Sequence, residues 1–264
     1  MKIKILYEDA NILAIDKPSG VLVHPVPEQA RHGAGAGKNV FDEMRKKYLK
    51  LELVHRLDKE TSGVLLLAKN KKAHEFLKSQ FAGREVKKIY NAIVSGSVKN
   101  DRGIINKPIG RSPADFRRRL SGRGARGEMR EAITDYKVLR RFQAKAYQNF
   151  YPRGSHAEGE GRRGKNFDTP EQAPFTYLEI KPKTGRTHQI RVHMKYINHP
   201  IAGDNLYNPD GPIPLPNLPL RRGRQGGGTS RMMLHASSIE FKNLKGRIIK
   251  VESPLPKEFK KVIE

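Results

Sequence analysis

Apolar and polar positions alternate over Lys2–Tyr7 and again over Asn11–Asp16, a period of two that predicts two short strands. Glu8-Asp9-Ala10 supplies the turn between them, and Lys17-Pro18-Ser19-Gly20 ends the second. Gly63–Ala68 reads GVLLLA, too apolar for a strand with one wet face, so a central strand buried on both faces is expected. The period changes over Lys72–Phe81, where Ala73, Phe76, Leu77 and Gln80 form the stripe of a helix and Gly83 closes it. Further strands are predicted at Ile89–Val94, Ile133–Leu139, Thr176–Ile180, Met233–Phe241 and Arg247–Glu252. A helix from about Thr187 to Ile197 is stopped by Asn198, with Pro200 two residues on, and a short charged helix begins near Pro256. Strands outnumber helices without regular βαβ alternation. The fold class is therefore α+β, with a mixed, largely antiparallel central sheet flanked by helices and loops.

Composition adds a partner. The 264 residues, 36% of them hydrophobic, suffice for one large catalytic domain over 1–264. Lys and Arg number 52 against 27 Asp and Glu, a net charge of +25, which calls for a polyanion. No segment approaches the ~18 consecutive apolar residues of a membrane-spanning helix, and the N-terminus lacks the pattern of a secretory signal. Cysteine is absent, which removes disulfides, thiolate nucleophiles and cysteine-ligated zinc and is compatible with a reducing cytoplasm. His188 and His193 are five apart, about 140° around a helix, so they do not form the i, i+4 pair of a zinc helix, and no metal is expected.

Three stretches interrupt the periodicity. Arg111–Glu131 holds seven Arg and three acids, Tyr151–Lys165 is rich in Gly and charge, and Asn208–Arg231 carries five Pro, five Gly and four Arg. Long irregular stretches inside a domain are functional or disordered, and these read equally as basic loops facing nucleic acid or as solvated insertions. Two glycine-rich segments imitate nucleotide-binding motifs. Gly159–Gly164 has the letters of G-x-G-x-x-G but neither follows a strand nor opens a helix. Gly33–Asn39 lacks the first glycine and the final hydroxyl of a phosphate loop, those positions being His32 and Asn39.

The chemistry concentrates in Val54–Gly63, directly before the buried strand. Asp58 stands there between Arg56 and Lys59, and two nearby cations favour the ionised carboxylate that a nucleophile or base requires. On local reasoning alone, Asp58 serves equally well as a structural residue closing the turn through the Thr61 and Ser62 amides.

His55-Arg56-Leu57-Asp58-Lys59-Glu60-Thr61-Ser62-Gly63 resembles H-R-L-D-x-x-T-S-G, the signature of RluA-type RNA pseudouridine synthases. Lys88-Ile89-Tyr90-Asn91-Ala92 is similar to the family's K-x-Y-x-A strand, and Gly185–Met194 to its G-R-T-H-Q-I-R-x-H-M block. His199–Asp204, Leu234-His235-Ala236, Asp16–Gly20 and His24-Pro25 match further family segments, in family order, from about residue 7 to 255.

The resemblance implies the pseudouridine synthase fold and an isomerase that moves the ribose from N1 to carbon five of uracil without cofactor or metal. Asp58 is then the catalytic residue, acting as nucleophile on the anomeric carbon or as the base that yields a glycal. Tyr90 packs on the flipped base, and its hydroxyl is a candidate for moving the carbon-five proton. Arg191 would supply the cation for Asp58. Arg56, Arg186 and His188 are expected at the RNA, with Arg117, Arg118 and Arg119 as phosphate contacts in the first insertion. The partner is ribosomal or transfer RNA, and a cytoplasmic monomer is expected. The small RNA-binding domain that precedes the catalytic domain in many relatives is not expected here, because the first catalytic strand begins within ten residues of the start. A non-catalytic RNA-binding or ribosome-assembly protein on the same fold is the alternative. A basic ribosomal or chromatin-like protein is suggested by charge alone.

Overall fold

A computed structural model describes residues 1, 3–24, 39–122, 124–148, 171–209, 211–214 and 231–264. The described residues form 14 strands and four helices, the strand-dominated α+β composition expected from the periodicity. They divide into two compact units. One comprises Met1–Asn91, Glu179–Gly185 and Leu234–Leu255, and the other Ala92–Leu178, Arg186–Met233 and Pro256–Glu264.

In the first unit, β1 (Lys4–Glu8) and β2 (Ile12–Lys17) form a hairpin whose turn is fixed by Asp9, its carboxylate accepting from the amides of Asn11 and Ile12. β2 pairs antiparallel with β4 (Ser62–Ala68), which pairs in parallel with β13 (Leu234–Lys242); the order is β1-β2-β4-β13-β5, with β5 spanning Lys87–Ser95. The two-residue β3 (Glu52–Leu53) adds to β4, and β14 (Ile248–Glu252) to β13. All seven residues of β4 are buried. Val64, Leu66 and Ala68 face one core with Ile12, Ala14, Ile239 and Phe241, while Leu65 and Leu67 face another with Leu13, Ile15, Val40 and Met44. The predicted burial on both faces is thus realised by two separate apolar layers.

Helix α2 (Lys71–Ala82) covers the first layer, one residue longer at each end than its pattern indicated. Asn70 caps it by accepting from the Ala73 amide, and Gln80 on its buried face bonds both the amide and the carbonyl of Lys242. Gly83 is the C-cap as expected, but the left-handed residue is Arg84 (φ 59°). Helix α1 (Val40–Arg45), capped by Asn39, covers the second layer. It escaped the sequence reading because six residues are too short to show a helical period.

In the second unit, β10 (Ile133–Gln148) is flanked by β11 (Glu171–Pro182) and β12 (Pro212–Pro214), with β6 (Arg102–Asn106) also on β10. Helix α3 (Gln189–Tyr196) ends with Asn198 in the left-handed conformation (φ 62°), the stop its sequence announced. Helix α4 (Lys257–Ile263) closes the chain. The stretch read as a basic loop, Arg111–Glu131, largely folds into a separate three-stranded antiparallel sheet, β8-β7-β9, of β7 (Ile109–Arg111), β8 (Arg119–Ser121) and β9 (Arg126–Arg130). Its strands lack apolar alternation, which is why no strand was expected there. Tyr151–Lys165, most of Asn208–Arg231, Gly33–Lys38 and Gly159–Gly164 lie outside the described residues.

Candidate active site

Asp58 lies in the short segment between β3 and β4. Its neighbours anchor that segment: Leu57 is buried in the second apolar layer, and Thr61 and Ser62 are buried as β4 begins. The Thr61 amide donates to the main-chain carbonyl of Asp58, closing the turn. Opposite runs Lys17–Gly20, three of whose donors serve the Asp58 turn. Lys17, 0% exposed, donates from Nζ to the carbonyls of Pro18 (2.8 Å), Lys59 (2.9 Å) and Thr61 (2.8 Å). Ser19 Oγ donates to the Glu60 carbonyl, and the Gly20 amide to that of Lys59. A buried ammonium is tolerated only when its donors are filled, and here two of the three carbonyls come from the loop carrying Asp58. By sequence alone Lys17 is only the end of a strand. The signal was a lysine closing the apolar run ILAID directly before Pro-Ser-Gly.

Gly63 explains why β4 can begin where it does. Its φ is +110°, and a Cβ there would lie 2.1 Å from the Ala236 carbonyl oxygen, so only glycine lets β4 and β13 approach at the pairs His235↔Ser62 and Ala236↔Gly63. The same approach brings Ser62 Oγ within 2.8 Å of His235 Nδ1. Leu234-His235-Ala236, far away in sequence, is therefore the structural partner of Thr61-Ser62-Gly63.

Tyr90 on β5 packs against the second layer, and burial, followed by the charge of Asp58, pushes its phenol pKa up. It remains a neutral phenol at physiological pH, and Asp58 is near enough for its charge to be felt. Lys88, two residues earlier and so on the same face of β5, donates to the Thr184 carbonyl at 3.3 Å, and burial lowers its pKa. His55 stacks on Phe81 with centroids 4.9 Å apart. Its Nε2 accepts from the Leu66 amide (2.9 Å), on a stretch of β4 between the pairs made by β3 and those made by β13. The ring is therefore neutral with its proton on Nδ1. Desolvation, and secondarily the charge of Lys88, push its pKa down to about 3. Arg56, between His55 and Leu57, is exposed.

The second unit carries the Gly185–Met194 block from Arg186 onward, and its polar side chains are engaged with one another and with their surroundings. Arg191, buried in α3, forms two bonds to Asp204, Nε to Oδ2 at 2.7 Å and Nη2 to Oδ1 at 2.8 Å, and lies over the Tyr207 ring. Asp204 also accepts from the Leu206 and Tyr207 amides. The carboxylate bonded to Arg191 within this unit is thus Asp204, from the Gly-Asp segment that follows the block in sequence. His188 is left-handed (φ 57°) at the head of α3, and its Nδ1 lies in hydrogen-bond contact with the Tyr207 hydroxyl, 3.0 Å away, which accepts from the Arg119 amide. Gln189 donates to the Ile133 carbonyl and to Thr134 Oγ1. The Thr134 hydroxyl in turn meets Nδ1 of His193, whose Nε2 donates to the Lys107 carbonyl. Arg186 donates from Nε to the Glu131 carbonyl and keeps a partly open side chain.

The arrangement joins motifs distant in sequence, and comparison with known proteins gives it a family. A family profile described as RNA pseudouridylate synthase matches residues 11–196. An uncharacterized RNA pseudouridine synthase of Bacillus subtilis is 33% identical over 269 residues, covering 100% of this chain and 73% of that protein. The chain belongs to the RNA pseudouridylate synthase family. A ribosomal large subunit pseudouridine synthase D of Borreliella burgdorferi is 34% identical, covering 97% of this chain and 66% of its own length, consistent with the RluA type. An uncharacterized RNA pseudouridine synthase of Aquifex aeolicus is 37% identical over 211 residues, covering 78% of this chain and 56% of that protein. The fold agrees with human RNA pseudouridylate synthase domain containing 1, at a TM-score of 0.65 and 24% identity over 97% of this chain and 84% of that one. Membership places the chain among the isomerases.

Within this pseudouridylate synthase the three consecutive arginines expected at phosphate differ in situation. Arg117 forms a bidentate pair with Asp115, 3.0 Å from Nε and 2.8 Å from Nη2. Arg118 Nε lies 3.6 Å from the same carboxylate. Arg119 donates from Nη1 to the carbonyls of Phe116 and Arg118. Membrane-spanning helices are not formed by the described residues.

Proposed function

We propose that this chain converts specific uridines of ribosomal or transfer RNA to pseudouridine, with Asp58 acting at the anomeric carbon of a flipped nucleotide. The observation that carries the reading is the Asp58 turn: a half-buried carboxylate, on a loop whose carbonyls are clasped by the Lys17 and Ser19 side chains and the Gly20 amide, whose charge reaches the phenol of Tyr90. Departure from N1 leaves an anomeric centre for Asp58 to trap covalently or to relieve of its neighbouring proton. The uracil then rotates and bonds through carbon five, and the carbon-five proton is lost to restore the ring. Flipping costs a few kcal/mol, and stacking on Tyr90 offsets part of that. Because burial keeps Tyr90 a phenol, its hydroxyl would relay a proton and not act as phenolate. Arg191, fixed by Asp204, contributes a preset cation, and Arg56 and Arg186 contact the RNA backbone. The enzyme works as a cytoplasmic monomer without cofactor.

RNA labelled with tritium at carbon five of uridine tests the chemistry: purified protein releases tritium to water if the reading holds and leaves it in place if the chain only binds. Carbodiimide mapping of pseudouridines in ribosomal and transfer RNA, from cells with and without the gene, identifies the target. A site lost with the gene is expected, and an unchanged map of both RNA classes would contradict the assignment.

A further inference from the structure

The small sheet β8-β7-β9 places three arginines side by side. Register pairs Arg111 of β7 with Arg119 of β8 on one flank and with Arg126 of β9 on the other. Directly opposed residues share a face, and adjacent strands are about 4.8 Å apart, so the row spans roughly 10 Å. Like charges directly opposite destabilise a sheet. Among the described residues no carboxylate forms an ion pair with Arg111, Arg119 or Arg126. The acids of this sheet are committed elsewhere, Asp115 to Arg117 and Arg118, and Glu128 to Arg130. Arg111 and all of β9 are exposed.

The turn joining β7 to β8 adds a second feature. Phe116 is 81% exposed, the Arg118 amide donates to the Asp115 carbonyl, and Ser112 and Asp115 tie the turn from both sides. A single exposed apolar residue is ordinary. An aromatic ring held outward on a pinned turn, beside a row of unneutralised arginines, has the composition of a platform for single-stranded nucleic acid: charge for the backbone and a ring face for a base.

We infer that this sheet is an accessory RNA-binding surface outside the catalytic motifs, on which Phe116 stacks an unpaired base while Arg111, Arg119 and Arg126 take successive phosphates. The inference rests on RNA being the substrate. It replaces the consecutive triplet Arg117–Arg119 with a cross-strand triplet, because Arg117 already has its carboxylate. The surface would favour a target uridine flanked by a loop or bulge over one in continuous duplex.

The chain contains no tryptophan, so Phe116→Trp creates a single fluorescent reporter at the turn. Its emission should be quenched on titration with loop-containing RNA, with a midpoint matching filter binding, and not by a heparin fragment that supplies charge without bases. Phe116→Ala should weaken RNA binding roughly 5- to 150-fold, the range of one stacked base. Arg111→Gln with Arg126→Gln should lower the slope of log affinity against log salt by about 1.4 to 1.8. The urea midpoint should stay level or rise, since the change removes repulsion, whereas a structural role would lower it. Tritium release at saturating RNA should stay at the wild-type level in all these variants. Unquenched emission from the Phe116→Trp variant together with an unchanged salt slope would overturn the inference while leaving catalysis standing. Wild-type protein that neither binds RNA nor releases tritium would overturn the proposed function along with it.

Discussion

Replacing Lys17 with Met keeps the length of the side chain and removes its three donors. The Lys59 carbonyl retains the Gly20 amide, whereas those of Pro18 and Thr61 lose their contact with Nζ. A buried acceptor left without its donor costs about 1–3 kcal/mol, so two give roughly 2–6 kcal/mol. Removing the ammonium also removes its own desolvation cost, which brings the expected loss to the lower part of that range, about 2–4 kcal/mol. The damage is local to the Asp58 turn, because two of the three carbonyls belong to residues 59 and 61. Urea unfolding followed by circular dichroism reads the first effect, and single-turnover tritium release the second. Turnover should fall at least tenfold under conditions where the variant is folded, with RNA affinity within about threefold of wild type. Lys17→Arg should not rescue it, since a fully enclosed site has no room for a guanidinium. Wild-type stability and turnover in Lys17→Met would refute the idea that the clasp positions Asp58.

Gly63→Ala should cost about 3 kcal/mol or more in the same unfolding assay, because the new Cβ meets the Ala236 carbonyl and φ +110° is strained for alanine; a loss under 1 kcal/mol would show that β4 and β13 separate easily. His55 is neutral in the fold down to about pH 3 but protonates near 6.5 when unfolded, so the unfolded chain binds the extra proton between those values. Its contribution to stability is complete above pH 6.5 and is lost on acidification, by no more than about 1.4 kcal/mol per pH unit. His55→Gln, which can still accept from the Leu66 amide, should flatten the dependence of stability on pH between 6.5 and 4, and an unaltered slope would place the titrating group elsewhere. Tyr90→Phe should leave RNA affinity within twofold and slow tritium release at least tenfold; full activity would reduce Tyr90 to a stacking surface.

The elements legible in advance were those whose burial imposes a period. GVLLLA could only be a two-sided core strand, Lys72–Phe81 showed one apolar stripe, and Asn198 marked the end of α3 because asparagine accepts the left-handed conformation. Strand β10 continues past the predicted Leu139, with Phe142, Ala144 and Ala146 still alternating against polar neighbours, a signal interrupted by Arg140 and Arg141. The arginine-rich sheet left no apolar trace because its strands bury little. At the site, the motif letters do not show which partners their residues bond. His55, Gln189 and His193 carry motif letters, yet their bonds go to the Leu66 amide, to Ile133 and Thr134, and to Lys107 and Thr134. The bond between Arg191 and Asp204 crosses 13 residues and could not be read from either motif alone. Lys17 was missed because a lysine at a strand end is ordinarily solvated, and only its enclosure by three carbonyls distinguishes it.

The central claim is that Asp58 performs the sugar chemistry, and Asp58→Asn tests it most directly, since the amide keeps the shape and removes the charge. Tritium release from carbon-five-labelled RNA should fall to background under single-turnover conditions, while filter binding of the same RNA stays within about threefold of wild type and the urea midpoint is unchanged. Tritium release by the variant at a substantial fraction of the wild-type rate would contradict the account.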